Sequence, residues 1–334
     1  MEKLTYIELP EEHKSRPLPF YLAMEEYVAQ TMPEVKAFFM WQVSPTVIFG
    51  RNQVIHNEVN TDYCTARGIE FYRRKSGGGA VFANADNVML SVVLPGGGDS
   101  VVNVFADYSA AVARMLCALG VDAEASGRND VTIGGRKVSG GAFYHLPDSN
   151  IMHSTMLLST DPEAMTATLT PSRMKLDAKG VASVRSRVTT LREHLPLLTA
   201  EQFIAHARSQ LCGDNTVRLT ADDVAEIERL AEPYFAHSWI YGSKSAVKPQ
   251  RIEGVGEFTV NYSLRGNAMH GVTLLGDFFS PCGDITPLEN ALEGVEPTPQ
   301  AIDAALSRIN PGNFIAGLTA NMLKSLLIPS PDNE

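Results

Sequence analysis

The segment Arg73-Arg74-Lys75-Ser76-Gly77-Gly78-Gly79-Ala80-Val81-Phe82 decides how this chain is interpreted. It joins three consecutive cations, a hydroxyl and three glycines. Because glycine has no Cβ, successive glycines let backbone N–H groups converge on one point and form a nest for an anion. The neighbouring cations add positive charge, so phosphate is the expected ligand.

The sequence on both sides of these glycines excludes two common phosphate sites. Residues 69–72 favour an extended conformation, and residues 88–94 form an apolar run that ends at Pro95. A P-loop and a Rossmann fingerprint both need a helix directly after the glycines. The glycines here are therefore predicted to join two strands. A second triplet, residues 96–98, has no cation beside it and is interpreted as a plain loop.

Residues 127–143 predict a β-hairpin. Gly134-Gly135 is a two-residue turn of the type that matches strand twist. Side chains alternate across a strand, so Lys137 and Ser139 are expected on one face, and the small residues that follow leave room for a ligand. An ordinary solvated lysine would fit the same pattern.

These segments resemble those of bacterial lipoate-protein ligases, in the same order and at similar spacings. The resemblance covers most of the first three quarters of the chain, and the remainder resembles, more weakly, the accessory domain of two-domain members. The matching segments are residues 39–41, 46–51, 73–82, 127–130, 136–142, 153–158 and 174–188.

The resemblance implies the fold and the domain division. It predicts an α+β catalytic domain similar to biotin ligases and class II synthetases over residues 1–243, and a small α+β accessory domain over residues 251–334. The polar stretch 242–250 is predicted to be a linker.

It also implies the reaction. ATP would activate lipoate as lipoyl-AMP with release of pyrophosphate, and the lipoyl group would pass to a carrier lysine. The implied partners are the lipoyl domains of 2-oxoacid dehydrogenase complexes, the H protein of glycine cleavage, or both. Magnesium is the implied cofactor. Bringing a carboxylate to an α-phosphate needs fixed cations, since two anions meet.

The resemblance assigns residues to each part of the site. Lys137 is the implied catalytic residue, contacting both the acyl carbonyl and the α-phosphate, and Asp130 is the implied magnesium ligand. The implied nucleotide-binding residues are Arg74, Ser76, Gly77, Gly78, Gly79, Ala80, Val81, Phe82, Asn129, Asp130 and Lys137. The implied lipoate-binding residues are Trp41, Lys137, Ser139, Gly140 and His153.

Several assignments have alternatives at this stage. Trp41 could be a core aromatic, and His153 could be a core histidine. The cations Lys175, Lys179, Arg185 and Arg187 could be a solvated charge run or part of a loop that closes near the nucleotide. The chain has Ala83-Asn84 where many relatives have His-Asp, and this difference leaves the choice between octanoate and lipoate open.

Composition limits the class of protein. The chain has 334 residues, 44% hydrophobic and 20% charged, with a net charge of −10 that argues against nonspecific nucleic-acid binding. The first six residues lack the basic and apolar features of a signal peptide, and no apolar run approaches membrane length, so a cytoplasmic location is expected. Its four cysteines are scattered, without a C-x-x-C pair, and are expected to be free thiols.

Three other functions share parts of this pattern. An octanoyl or lipoyl transferase of the same fold needs a cysteine nucleophile, but no cysteine occurs between Cys117 and Cys212, the interval that holds Lys137 and His153. A biotin ligase would use a phosphate loop richer in arginine and glycine. A non-catalytic lipoyl-binding relative would not need to keep Arg74, Lys137 and the glycine loop.

Periodicity and capping patterns predict the main helices and the carboxyl-terminal sheet. Helices are expected at residues 19–30, 103–119, 203–211 and 221–231, then from Thr298-Pro299 onward and at 314–327. Antiparallel strands are expected at residues 256–260, 262–264, 268–275 and 277–279.

Overall fold

The structure, a computed structural model, describes residues 3–96, 101–127, 129–170, 187–241 and 250–328. Fourteen strands are assigned in these residues. They are β1 Leu4–Glu8, β2 Ala37–Trp41, β3 Thr46–Phe49, β4 Glu70–Arg73, β5 Val81–Ala83, β6 Asn87–Pro95, β7 Ala123–Ser126, β8 Asp130–Ile133, β9 Arg136–Leu146, β10 Ser149–Leu157, β11 Cys212–Arg218, β12 Gln250–Ile252, β13 Gly256–Arg265 and β14 Ala268–Gly276.

Helices surround the strands. Within the same residues they are α1 Leu18–Thr31, α2 Ile55–Glu58, α3 Thr61–Ala66, α4 Val101–Cys117, α5 Pro162–Thr168, α6 Leu191–His194, α7 Ala200–Leu211, α8 Ala221–Ala231, α9 His237–Tyr241, α10 Thr286–Leu292, α11 Pro299–Leu306 and α12 Ala320–Leu327. No helix in the described ranges combines the length and the apolar character needed to cross a membrane.

An eight-stranded sheet forms the centre of the amino-terminal part, residues 3–241. Its strand order is β11-β1-β2-β6-β10-β9-β8-β7, antiparallel from β2 to β7 and parallel where β1 meets its two neighbours. One face packs against α1 and α8, and the other packs against α4 and α7. The central strands β6 and β10 are therefore buried on both faces, which explains the largely apolar sequence of β6; in β10 the polar residues are buried as well.

A separate three-stranded sheet carries the glycine segment. Strand β3 lies between β4, its parallel neighbour, and β5, its antiparallel neighbour. Residues 74–80 connect the two outer strands and pass over the end of β3; we call them the glycine loop. The prediction that the glycines join two strands is confirmed.

The carboxyl-terminal part, residues 250–328, has its own core. Strands β12, β13 and β14 form an antiparallel sheet that packs against α10, α11 and α12. Together with the large sheet of the amino-terminal part, this confirms the mixed fold predicted from the sequence.

Two boundaries in the carboxyl-terminal part were predicted wrongly, and β12 and α10 were not predicted. Residues 277–279 leave the sheet: Asp277 accepts a hydrogen bond from the Glu257 backbone N–H (2.6 Å), and the Phe278 ring stacks on Phe258 at 5.0 Å. The last helix begins only at Ala320, where the Thr319 hydroxyl caps it. The local sequence pattern predicts neither boundary correctly, because contacts with residues distant in sequence determine where the strand ends and where the helix begins.

The other predicted elements agree closely. Helix α7 begins with the predicted capping box, in which Thr199 and Gln202 exchange side-chain-to-backbone hydrogen bonds. The hairpin turn has positive φ at both Gly134 and Gly135, as its type requires. The pairing of β8 with β9 shifts by one residue at Val138, so Val138 and Ser139 are both buried and the expected strict alternation is broken there.

Arg73, at the end of β4, joins the segment that follows β3 to helix α9. Its side chain is 5% exposed and lies over the Phe49 ring. The guanidinium donates to five backbone carbonyls, those of Gly50, Arg51, Gln53, Trp239 and Ile240, at 2.6 to 3.3 Å. Burial lowers the Arg73 pKa to about 10, so the group stays charged at neutral pH.

We expect Arg73→Met to destabilise the fold strongly. Methionine fills much of the volume but donates no hydrogen bond, so the carbonyls that Arg73 serves lose their donor in a buried place. The free energy of unfolding should fall by about 3 kcal/mol, measured by urea denaturation. The matched control is Arg114→Met, at an exposed position of α4, which should change it by less than about 0.5 kcal/mol. Equal stability of the two variants would contradict a structural role for Arg73.

Candidate active site

A single row of residues across five neighbouring strands forms the floor of the main cavity. The register pairs Trp41 with Met89, Met89 with Thr155, Thr155 with Gly140 and Gly140 with Asp130. All five line a cavity of about 500 Å³. Four interstrand spacings separate Trp41 from Asp130, about 19 Å in all. The floor is apolar at the Trp41 end and charged at the Asp130 end.

Trp41 belongs to both the core and the cavity. Its ring stacks on Tyr21 with centroids 4.9 Å apart, and Leu22 of α1 lines the same end of the cavity. The indole N–H donates to the Ser91 hydroxyl at 2.9 Å. The two interpretations of Trp41 from the sequence are thus compatible.

A buried polar chain runs beside this floor. It comprises Trp41, Ser91, Glu25, His153, Ser76 and Arg74. Ser91 donates to Glu25, whose carboxylate lies 2.9 Å from His153 Nδ1, and His153 Nε2 lies 2.8 Å from the Ser76 hydroxyl. Glu25 is fully buried, and hydrogen bonds are what make such burial tolerable. His153 therefore lines the cavity with both ring nitrogens already engaged.

Arg74 sets the conformation of the glycine loop. Its guanidinium is 3% exposed and donates to the carbonyls of Ile48, Gly77 and Gly79 and to the Ser76 hydroxyl, at 2.6 to 3.2 Å. Burial lowers the Arg74 pKa to about 10, so it remains charged. The glycine loop thus surrounds the Arg74 guanidinium, and Arg74 also lines the cavity.

Lys137 lies at the charged end of the cavity floor. Its ammonium is 2.6 Å from Asp130 Oδ1, and Arg187 approaches Asp130 Oδ2 at 3.4 Å. A Cβ at Gly140 would lie 2.0 Å from Lys137 Nζ. The absence of a side chain at Gly140 thus makes room for the Lys137 side chain itself. Asn129 fixes the adjacent backbone, because its side-chain amide donates to the Gly141 carbonyl at 2.7 Å.

The donor set around Asp130 fits magnesium only together with a substrate. No cluster of three or more histidine, cysteine or acidic residues suited to a metal occurs in the part of the chain that the structure describes. Magnesium commonly uses one or two protein carboxylates plus phosphate oxygens. The Asp130 carboxylate on the wall of the cavity is consistent with that mode.

The carboxyl-terminal part packs directly on the glycine loop. The Phe278 carbonyl accepts from the Gly78 N–H at 3.3 Å, and a Cβ at Gly77 would lie 2.3 Å from that same oxygen. The Gly276 N–H donates to the Asn52 carbonyl at 2.6 Å, and Arg51 donates to the Gly283 carbonyl at 2.7 Å. The absence of a side chain at Gly77 is therefore what permits this close approach.

Most of the residues assigned from the sequence meet at this cavity. Its wall includes Trp41, Arg74, Gly78, Gly79, Ala80, Val81, Phe82, Asn129, Asp130, Lys137, Gly140, His153 and Arg187. Three assigned residues lie off the wall: Ser76 and Gly77 support the loop from behind, and Ser139 is buried. Lys175, Lys179 and Arg185 lie outside the described residues.

Sequence reasoning missed two groups of residues. Glu25 was overlooked because its signal, an acidic residue next to Glu26 in an otherwise largely apolar helix, does not reveal its partners. The cavity wall also includes residues of the carboxyl-terminal part: Arg251, Glu253, Gly254, Val255, Gly256, Asp277 and Phe279. No local motif marks them, since only docking of the two parts brings them to the cavity.

Known proteins resemble this chain over nearly its whole length. The profile described as "Lipoyl protein ligase A/B catalytic domain" matches residues 17–212, and "Bacterial lipoate protein ligase C-terminus" matches residues 245–327. Lipoate-protein ligase 1 of Staphylococcus aureus is 32% identical over 314 residues, covering 92% of this chain and 95% of that protein.

Solved structures show the same fold. P. falciparum LipL1 in complex with lipoate is 17% identical with a TM-score of 0.74, covering 92% of this chain and 95% of that one. Lipoate-protein ligase A bound with ATP is 22% identical with a TM-score of 0.61, covering 72% and 99% respectively. With the sequence matches to both parts of the chain, these findings lead to one conclusion: the chain belongs to the lipoate-protein ligase family.

Proposed function

We propose that this protein is an ATP-dependent lipoate-protein ligase, which forms lipoyl-AMP and transfers the lipoyl group to a lysine of a carrier domain. The observation that carries the proposal is the cavity floor, which runs about 19 Å from Trp41 to Asp130. A lipoyl chain fits the apolar end, and an acyl phosphate fits the end with Lys137 and Arg187.

In the first step, a lipoate carboxylate oxygen attacks the α-phosphorus of ATP, and the bond to the bridging oxygen breaks to release pyrophosphate. Negative charge from both reactants meets at one point. The compact Lys137 ammonium can contact the carboxylate and the α-phosphate together, exchanging its ion pair with Asp130 for substrate oxygens. Magnesium, when bound with the nucleotide, would offset phosphate charge, and Asp130 would supply a carboxylate to hold it.

In the second step, the ε-amine of the carrier lysine attacks the activated carbonyl and AMP leaves. AMP is a good leaving group, so no protein nucleophile is required. The cavity wall in the described residues contains no cysteine. This supports a ligase over a transferase that works through a cysteine acyl-enzyme.

The remaining assignments are part of the same proposal. Residues 1–243 would form the catalytic domain and residues 251–334 the accessory domain. The carriers would be lipoyl domains of 2-oxoacid dehydrogenase complexes, the H protein of glycine cleavage, or both, and the enzyme would act in the cytoplasm.

The direct test is product analysis by mass spectrometry. Purified protein would be incubated with ATP, magnesium and either lipoate or octanoate, with and without a lipoyl domain. We expect an acyl adenylate without the domain and a modified lysine with it. Absence of any ATP-dependent acyl adenylate would reject the proposed function.

We predict that Lys137→Ala slows adenylation by on the order of a hundredfold, because it removes a charge-assisted contact that strengthens in the transition state. The melting temperature should change little, since Lys137 is not a core residue. The control is Lys324→Ala, which also removes a lysine–aspartate ion pair (Lys324 to Asp303, 2.7 Å) but lies outside the cavity wall. A folded Lys137→Ala protein with undiminished adenylation would refute the assignment.

We predict that Gly78→Val weakens ATP binding about tenfold in calorimetry and affects lipoate binding less. Gly78 has φ +89°, and a Cβ there would lie 3.1 Å from both Arg74 and the Phe279 ring. Gly120→Val is the matched control, because Gly120 has φ +92° but lies in open space away from the cavity. If both variants bind ATP equally well, the glycine loop does not hold the nucleotide.

We predict that a fragment ending at residue 243 separates the two half-reactions. It should still transfer the lipoyl group from supplied lipoyl-AMP, because Trp41, Lys137 and His153 remain. Adenylation should be slower, because the glycine loop loses its contacts with Phe278 and Phe279. Rates of both steps would be measured on the purified fragment and the full chain. Equal adenylation rates, or loss of transfer, would show that this division is wrong.

A further inference from the structure

Arg251 is a cation on the wall of the cavity for which the described part of the chain shows no partner. It lies in β12, where its neighbour Ile252 is buried in the carboxyl-terminal core. Because side chains alternate along a strand, Arg251 extends from the opposite face, and it lines the cavity together with Glu253. Its side chain has no hydrogen bond or ion pair within the described ranges, and its Nε atom is buried with no acceptor.

The other cations of the cavity are already engaged. Lys137 and Arg187 both approach Asp130, and Arg74 donates to the glycine loop and to β3. A buried guanidinium donor without an acceptor costs free energy that a ligand can recover. Three further acidic residues line the wall, Glu58, Glu253 and Asp277, and Glu58 is buried and acts electrostatically on Arg74. Glu253 is exposed, and Asp277 accepts from the Glu257 backbone N–H.

Docking of the carboxyl-terminal part fixes where Arg251 lies. Backbone hydrogen bonds join Gly276 to Asn52 and Gly78 to Phe278, and the Phe279 ring contacts Phe105 edge-on with centroids 6.0 Å apart. Strand β12 reaches this region through its pairing with β13, in which Arg251 lies opposite Glu257. The Arg251 guanidinium is thus held at the same cavity as the glycine loop.

We propose that Arg251 binds the polyphosphate of ATP and is required for the first half-reaction only. The proposal rests on the proposed function. When the bond between the α-phosphorus and the bridging oxygen breaks, the electron pair goes to the oxygen of the departing pyrophosphate. A guanidinium can take two phosphate oxygens at once and stabilise that charge. Transfer to the carrier involves no pyrophosphate, so it does not use Arg251.

The experiment compares Arg251→Gln and Arg251→Lys with the control Arg265→Gln in the full-length protein. Arg265 is an exposed arginine at the far end of β13 and does not line the cavity. For Arg251→Gln we expect kcat/KM for ATP in adenylation to fall about a hundredfold. The KM for lipoate and the rate of transfer from supplied lipoyl-AMP should stay within about twofold of wild type. Arg251→Lys should recover part of the loss, because lysine restores the positive charge but not the paired N–H donors of the guanidinium.

A binding measurement separates this proposal from the proposed function. Calorimetry with inorganic pyrophosphate should show about tenfold weaker binding to Arg251→Gln than to the wild type and to Arg265→Gln. If the wild type forms no acyl adenylate but Arg251→Gln still loses pyrophosphate affinity, the proposed function fails and the assignment of Arg251 as an anion-binding residue stands.

Three results would overturn the assignment of Arg251. Unchanged adenylation in Arg251→Gln is one. Unchanged pyrophosphate affinity is the second. The third is an equal loss of both half-reactions in Arg251→Gln and Arg251→Lys with a lowered melting temperature, which would show that Arg251 serves the fold instead of the nucleotide.

Discussion

The site depends on the buried guanidinium of Arg74. A charge taken out of water must be met by hydrogen-bond acceptors, and here the carbonyls of Gly77 and Gly79 supply them. Drawing these two carbonyls inward holds the backbone between them in one conformation, at a position where Gly78 adopts positive φ. The glycines are therefore needed twice, to bend around Arg74 and to let the carboxyl-terminal part approach.

The buried polar chain extends this constraint to the opposite end of the cavity. Through Ser76, His153, Glu25 and Ser91, the glycine loop is joined by hydrogen bonds to Trp41 beside the apolar floor. A fully buried carboxylate on α1 is costly unless it is bonded on several sides, so each member fixes the next. The two ends of the cavity are thus connected by one network of hydrogen bonds, although their residues lie on different strands.

The docking of the carboxyl-terminal part gives the cavity a wall that the large sheet does not supply. The Phe278 carbonyl and the Phe279 ring lie against the glycine loop, and Arg251 and residues 253–256 line the cavity. An accessory unit placed this way can affect adenylation through its own side chains as well as by covering the site. In the described residues, the hydrogen bonds from Gly78 to Phe278, from Gly276 to Asn52 and from Arg51 to Gly283 all end on backbone carbonyls, so this docking depends on backbone position more than on particular side chains.

The sequence by itself determined the strand–glycine–strand motif, the Gly134-Gly135 hairpin, the main helices and, through the resemblance, the family and the mixed fold. These features depend on local backbone preferences and on motifs contiguous in the chain. Only the tertiary structure decided the row from Trp41 to Asp130, the partners of Glu25, the end of β14, the start of α12, and the presence of Arg251 at the cavity. Each of these depends on strand register, on burial or on docking, in which residues far apart in sequence meet, and no local pattern encodes which of them will do so.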